Sequence, residues 1–115
     1  KFYNLATVKS IPRHSYITTE GGVISELFLI KKGLVDVIVN DESLVSLGPH
    51  YYLGEMGFLT NKQSTATIVA KEDVEVIAWE KSTLAKLEQE DASLYTTLYR
   101  SIAENLIKKI HLHRG

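Results

Sequence analysis

Gly48-Pro49-His50-Tyr51-Tyr52-Leu53-Gly54-Glu55-Met56-Gly57-Phe58-Leu59-Thr60, followed after three residues by Ser64-Thr65-Ala66-Thr67-Ile68-Val69-Ala70, is the stretch that decides the fold. A strand end, two glycines and a single helical turn set several backbone N–H groups on one concave side, where an anion such as a phosphate fits. Glycine at 54 and 57 permits positive φ or close approach of a ligand to the backbone. Glu55, between them, is the one charged group in an otherwise apolar run. The same residues also read as an ordinary tight turn packing Met56, Phe58 and Leu59 into a core, and local chemistry leaves both open.

Outward from this segment, Ala6 to Trp79 reads as short β-prone runs broken by Gly, Pro, Asn and Asp, the pattern of an all-β barrel or sandwich. Val8 to Ile11 ends at Pro12, Tyr16 to Thr19 at Gly21-Gly22, and Leu27 to Ile30 at Gly33. Leu34 to Val39 turns at Asn40-Asp41 into Leu44 to Leu47. Thr65 to Val69 and Val74 to Trp79, both rich in β-branched residues, pair across Glu72-Asp73.

After Trp79 the period changes. Leu84 and Leu87 stand three apart behind Ser82, an N-cap candidate, and predict a short helix. A longer helix starts near Asp91 or Ser93, where Leu94, Leu98, Ile102, Leu106 and Ile110 repeat every four residues beside Tyr95, Tyr99, Ala103 and Ile107. That stripe is wider than a short β-roll alone buries. It either docks on the roll or pairs with another helix, and a homodimer through this helix is the expectation.

The chain has 115 residues, 44% hydrophobic and 23% charged, the size and balance of one domain. It divides into a β-roll at 6–79, containing the cassette 54–70, and C-terminal helices at 81–112. A first residue of Lys1 rather than Met suggests a piece of a longer protein. A net charge of −1 supplies no basic face, so this segment is not expected to contact nucleic acid directly. Without cysteine there is no disulfide framework, thiolate zinc site or thiol nucleophile, a composition that suits the reducing cytoplasm. No apolar run reaches the roughly 20 residues of a membrane helix, so no membrane insertion is expected.

Nothing in the sequence argues for catalysis: there is no Ser-His-Asp pattern, no nucleotide-hydrolysing glycine-lysine loop and no suitably spaced carboxylate pair. The chain reads as a non-enzyme without a cofactor. His111 and His113 fall on different sides of a helix and His14 and His50 sit in turns, so no metal ligand is assigned. Trp79 and Tyr51-Tyr52 read as packing residues.

The cassette resembles the phosphate-binding segment of the cyclic-nucleotide-binding domain family, which typically reads Gly-Glu-Leu/Ile-Ala/Gly-Leu-Leu, a short loop, then Arg-Ser/Thr/Ala-Ala-Thr-Val. Gly54-Glu55-Met56-Gly57-Phe58-Leu59 matches the first half and Thr65-Ala66-Thr67-Ile68 the end of the second. The resemblance runs nearly end to end, through the strand ending at Gly33 to the helix placed where the family's hinge helix lies. It implies a mainly β fold with C-terminal helices: a double-stranded β-helix or jelly-roll-like β-roll with a short cassette helix and a C-terminal hinge helix. It further implies a regulatory sensor whose effector is a cyclic nucleotide, cyclic AMP or cyclic GMP. The implied ligand-binding residues are Gly54, Glu55, Met56, Gly57, Phe58, Ser64, Thr65 and Ala66.

Glu55 matches the family glutamate that accepts a hydrogen bond from the ribose 2′-hydroxyl; as a purely structural group it would cap the turn that follows. Thr65 matches the small hydroxyl residue beside the phosphate. The family's phosphate-pairing arginine, however, falls at Ser64, which on local grounds reads as the end of a surface loop. Lys62 is the nearby basic side chain, a point charge without arginine's planar fork. Two alternatives to a cyclic-nucleotide sensor follow: a degenerate non-binding dimerisation or docking module, and a sensor for a different small effector.

Overall fold

A computed structural model describes residues 5–55 and 63–114. Eight strands come first: β1 (Thr7–Ile11), β2 (Tyr16–Thr18), β3 (Glu26–Lys32), β4 (Val35–Val39), β5 (Glu42–Leu47), β6 (Tyr52–Leu53), β7 (Thr67–Ala70) and β8 (Val74–Glu80). Two helices follow, α1 (Lys81–Glu90) and α2 (Ala92–Arg114). The strands form two four-stranded antiparallel sheets, ordered β1-β8-β3-β6 and β2-β7-β4-β5. This is the mainly β architecture with C-terminal helices that the sequence predicts; the expected cassette helix falls on residues 56–62, outside the described residues.

Strands β3 and β8 explain why the sequence alternates only partly. Their pairing places Leu27 opposite Trp79, and Phe28 opposite Ala78. Successive side chains in a strand point to opposite faces. Phe28, Ile30, Val76 and Ala78 therefore enter a core between the sheets with Val35, Leu47, Leu53 and Ile68. Leu27 and Trp79 enter a second core with Tyr52, Leu84, Leu87, Leu98 and Ile102 under the helices. Both faces of these strands are buried, so both carry apolar residues. The β4–β5 hairpin turns through Asn40 and Asp41, both with positive φ (51° and 64°), between the paired residues Val39 and Glu42; two left-handed central residues match the twist of the flanking strands.

Helix α2 starts where the sequence suggests: the Asp91 carboxylate accepts the Leu94 N–H at 3.1 Å, an N-cap bond. Ser82 does not cap α1. Strand β8 runs directly into that helix, and the helix's first amide, that of Lys81, donates to the Ser25 carbonyl at 2.9 Å.

The apolar stripe of α2 divides along its length: its first half docks on the roll, one of the two arrangements the sequence leaves open. Leu98 and Ile102 are buried in the second core, with Leu94 and Tyr95 partly buried against it. Each fully buried side chain of this size contributes about 1.5–3 kcal/mol, and that gain draws the first half of α2 onto the roll. Tyr99, Ile107, Ile110 and Leu112 remain exposed. Midway, Asn105 joins the helix to the edge strand: its Oδ1 accepts the Tyr52 N–H at 3.0 Å and its Nδ2 donates to the His50 carbonyl at 2.9 Å.

Candidate functional site

Strand β6 is only two residues long, yet it brings the cassette to the distal half of α2. Gly54, directly after it, has φ +78°. A Cβ added there would lie 2.9 Å from the Glu26 carbonyl oxygen and 3.3 Å from the Ile24 side chain, so the residue is glycine for both conformation and space. The next residue, Glu55, is thereby turned inward and buried.

Its partner comes from the far end of the chain. Lys109 of α2 donates to the Glu55 carboxylate in an ion pair whose side chains are 15% and 8% exposed, respectively. Burial lowers the pKa of the Lys109 ammonium from its ordinary value, while the Glu55 charge and their hydrogen bond oppose that shift. Glu55 is thus the buried anchor for a cation delivered by the helix; the turn it would cap lies outside the described residues.

The returning limb of the cassette is held by its own hydroxyls. Ser64 is buried rather than at the surface. Its N–H donates to the Gly22 carbonyl at 2.9 Å and its carbonyl accepts from Gly21 at 2.8 Å. Its hydroxyl donates to the Ala66 carbonyl at 2.6 Å, an oxygen that also accepts the Thr18 hydroxyl at 3.1 Å. Thr65 stays exposed. A hydroxyl tied to a carbonyl two residues away has no second proton to offer an anion.

These pieces enclose one cavity of about 320 Å³, within the range of small-molecule sites. Gly54, Glu55, Ser64, Thr65 and Ala66 line it together with Leu106, Lys109 and Ile110 of α2, and its remaining walls are apolar side chains such as Ile24, Val45 and Ile68. Thus five of the eight cassette residues suggested by the sequence meet two of the five stripe residues in a single pocket. Met56, Gly57 and Phe58 lie outside the described residues, as does Lys62. Leu94, Leu98 and Ile102 are not part of this wall. Lys109 is the site residue that the sequence reading does not name. The available signal is its place three residues after Leu106 and beside Ile110, a lysine at the edge of an apolar stripe.

Among the described residues no cluster of three or more His, Cys, Asp or Glu could hold a metal ion. His14 and His50 are exposed turn residues with positive φ (72° and 77°). No helix among the described residues is long and apolar enough to cross a membrane.

Comparison with known proteins agrees with this architecture. A cGMP-dependent protein kinase of Toxoplasma gondii is 40% identical over 55 residues, 48% of this chain and 6% of the kinase. A Pycsar effector protein of Pseudomonas aeruginosa is 26% identical over 111 residues, 93% of this chain and 34% of the effector. The chain thus spans a small part of these relatives. Among solved structures, a cyclic nucleotide-binding domain from Methylobacillus flagellatus superimposes with a TM-score of 0.89 at 21% identity, covering 96% of this chain and 65% of that one. The family model for the cyclic nucleotide-binding domain matches residues 8–91, from β1 through the cassette to the end of α1. The chain belongs to the cyclic nucleotide-binding domain family, as a regulatory domain of that kind.

Proposed function

We propose that this domain senses a small effector of the cyclic nucleotide class and reports occupancy through the position of α2, without catalysing a reaction itself. The observation that carries this reading is the shared cavity: the cassette forms one wall and Leu106, Lys109 and Ile110 of the helix form another. A ligand between them contacts both elements, and it shifts the helix to the extent that it binds one helix position more tightly than another. Glu55 accepts a ribose hydroxyl, and the exposed Thr65 hydroxyl faces the ligand's anionic end. The cGMP-dependent kinases among the relatives make cyclic GMP as fitting a probe as cyclic AMP. The lack of cysteine suits action in the cytoplasm.

Calorimetric titration with cyclic AMP and cyclic GMP tests the pocket, and amide exchange across residues 103–112 tests the coupling. Saturable binding that changes exchange in this segment is expected. Binding of neither nucleotide, with a folded protein, overturns the reading. A second reading, a docking or dimerisation module without an effector, draws on exposed Tyr99, Ile107, Ile110 and Leu112 near the end of α2. It requires self-association and no nucleotide binding.

A further inference from the structure

The cassette position aligned with a phosphate-pairing arginine carries Ser64, and the polar atoms of Ser64 are already engaged with Gly21, Gly22 and Ala66. The other cavity-lining residues of the cassette limb, Thr65 and Ala66, bring no cation. An anion entering a mostly apolar cavity needs a charge partner, because an unpaired charge out of water is costly. Among the described residues that line this cavity, one side chain is cationic, and it belongs to α2 rather than to the cassette: Lys109. An ammonium has three donors. The Glu55 carboxylate takes one of them.

We propose that Lys109 is the anion-binding residue of this pocket, so that a cyclic nucleotide directing a ribose hydroxyl to Glu55 places its phosphate against the C-terminal helix. The proposal rests on the sensing reading above and deepens it. The consequence is a definite sign for the response: the ligand's charge draws the distal part of α2 toward the roll instead of releasing it. It also sets selectivity. Glu55 and Lys109 together ask for a hydroxyl and an anion on one small molecule, so an uncharged nucleoside satisfies only half of the site.

The test compares cyclic AMP with adenosine, and cyclic GMP with guanosine, by calorimetry on the wild-type chain and on Lys109→Gln, which keeps an N–H donor for Glu55 and removes the charge. The wild type is expected to prefer each cyclic nucleotide over its nucleoside. Lys109→Gln is expected to lose about ten- to a hundredfold in cyclic nucleotide affinity, the range of a charge-assisted hydrogen bond, and distinctly less in nucleoside affinity. Lys109→Arg should keep the preference, and Ser64→Arg placed in Lys109→Gln should restore it.

Equal losses for nucleotide and nucleoside in Lys109→Gln would assign Lys109 a purely structural role and overturn the proposal. So would an undiminished preference in that variant, or a preference lost in Lys62→Gln instead. Should Lys109→Gln not fold, the wild type still decides: equal affinity for nucleotide and nucleoside overturns the assignment while leaving the pocket reading intact. Absence of any nucleotide binding to the wild type removes that reading too.

Discussion

Replacing Gly54 by alanine isolates the backbone geometry that turns Glu55 into the pocket. Two costs add. A non-glycine residue held at φ +78° stores about 1–3 kcal/mol. The new methyl would sit 2.9 Å from the Glu26 carbonyl oxygen, whose residue is fixed by its pairing with Glu80 in the β3–β8 ladder; overpacking of this kind costs about 1–3 kcal/mol. The sum, roughly 2–6 kcal/mol, is a large fraction of the 5–15 kcal/mol typical of a domain. At about 4 °C per kcal/mol it lowers Tm by on the order of 10 °C or more. Gly21→Ala is the matched control: φ is nearly the same, +79°, but a Cβ there meets nothing within 4 Å. It should show the conformational cost alone. Urea unfolding of both variants measures the difference. A Gly54→Ala protein within about 0.5 kcal/mol of wild type, or one no worse than Gly21→Ala, would refute the close-approach argument.

Asn105→Ala removes two hydrogen bonds at the edge of β6, one of them donated by the Tyr52 N–H, at a cost of about 1–3 kcal/mol; faster amide exchange at Tyr52 and along residues 103–112 is the expected signature. Ile102→Ala, at a fully buried position, should cost about 2–5 kcal/mol in urea unfolding, whereas Ile107→Glu, at an exposed position, should leave stability nearly unchanged and dissociate any dimer formed through the distal helix in sedimentation. The stability difference between wild type and Lys109→Gln should rise with pH. Between the lowered folded-state pKa of Lys109 and the ordinary 10.5 the unfolded wild type binds more protons, so stability is gained as pH climbs through that window and is flat below it. Urea midpoints from neutral pH to the ordinary lysine value check this, and a falling difference would contradict it.

The strands were legible wherever β-branched residues ran between turn formers, and Asn40-Asp41 and Asp91 or Ser93 marked the hairpin and the approximate start of α2 because such residues act on backbone groups close by in the chain. Gly54 was legible as a special position for the same local reason. Strand β6 was not, since two residues cannot show an alternating pattern. The Glu55–Lys109 pair joins residues 54 positions apart, and nothing local in either neighbourhood requires the other. The burial of Ser64 was hidden likewise: it depends on Gly21 and Gly22 arriving alongside, a tertiary fact that a serine after Asn-Lys-Gln does not announce. The length of the apolar stripe was correctly read, but not its division, because periodicity reports that a face is apolar and not what covers each part of it.

The Asn105 side chain, spanning the His50 carbonyl and the Tyr52 amide, behaves as a fulcrum. Everything before it on α2 is clamped by Leu98 and Ile102, and nine residues extend beyond it to Arg114. At 1.5 Å per residue that arm is roughly 13 Å long. A tilt of about 10° at the fulcrum therefore carries its tip through an arc of roughly 2 Å, with Lys109 near the arm's midpoint moving about half as far. Small adjustments at the pocket are magnified at the tip, so a tethered neighbour would sense them most strongly there, while the clamped half of the helix keeps its seat on the roll.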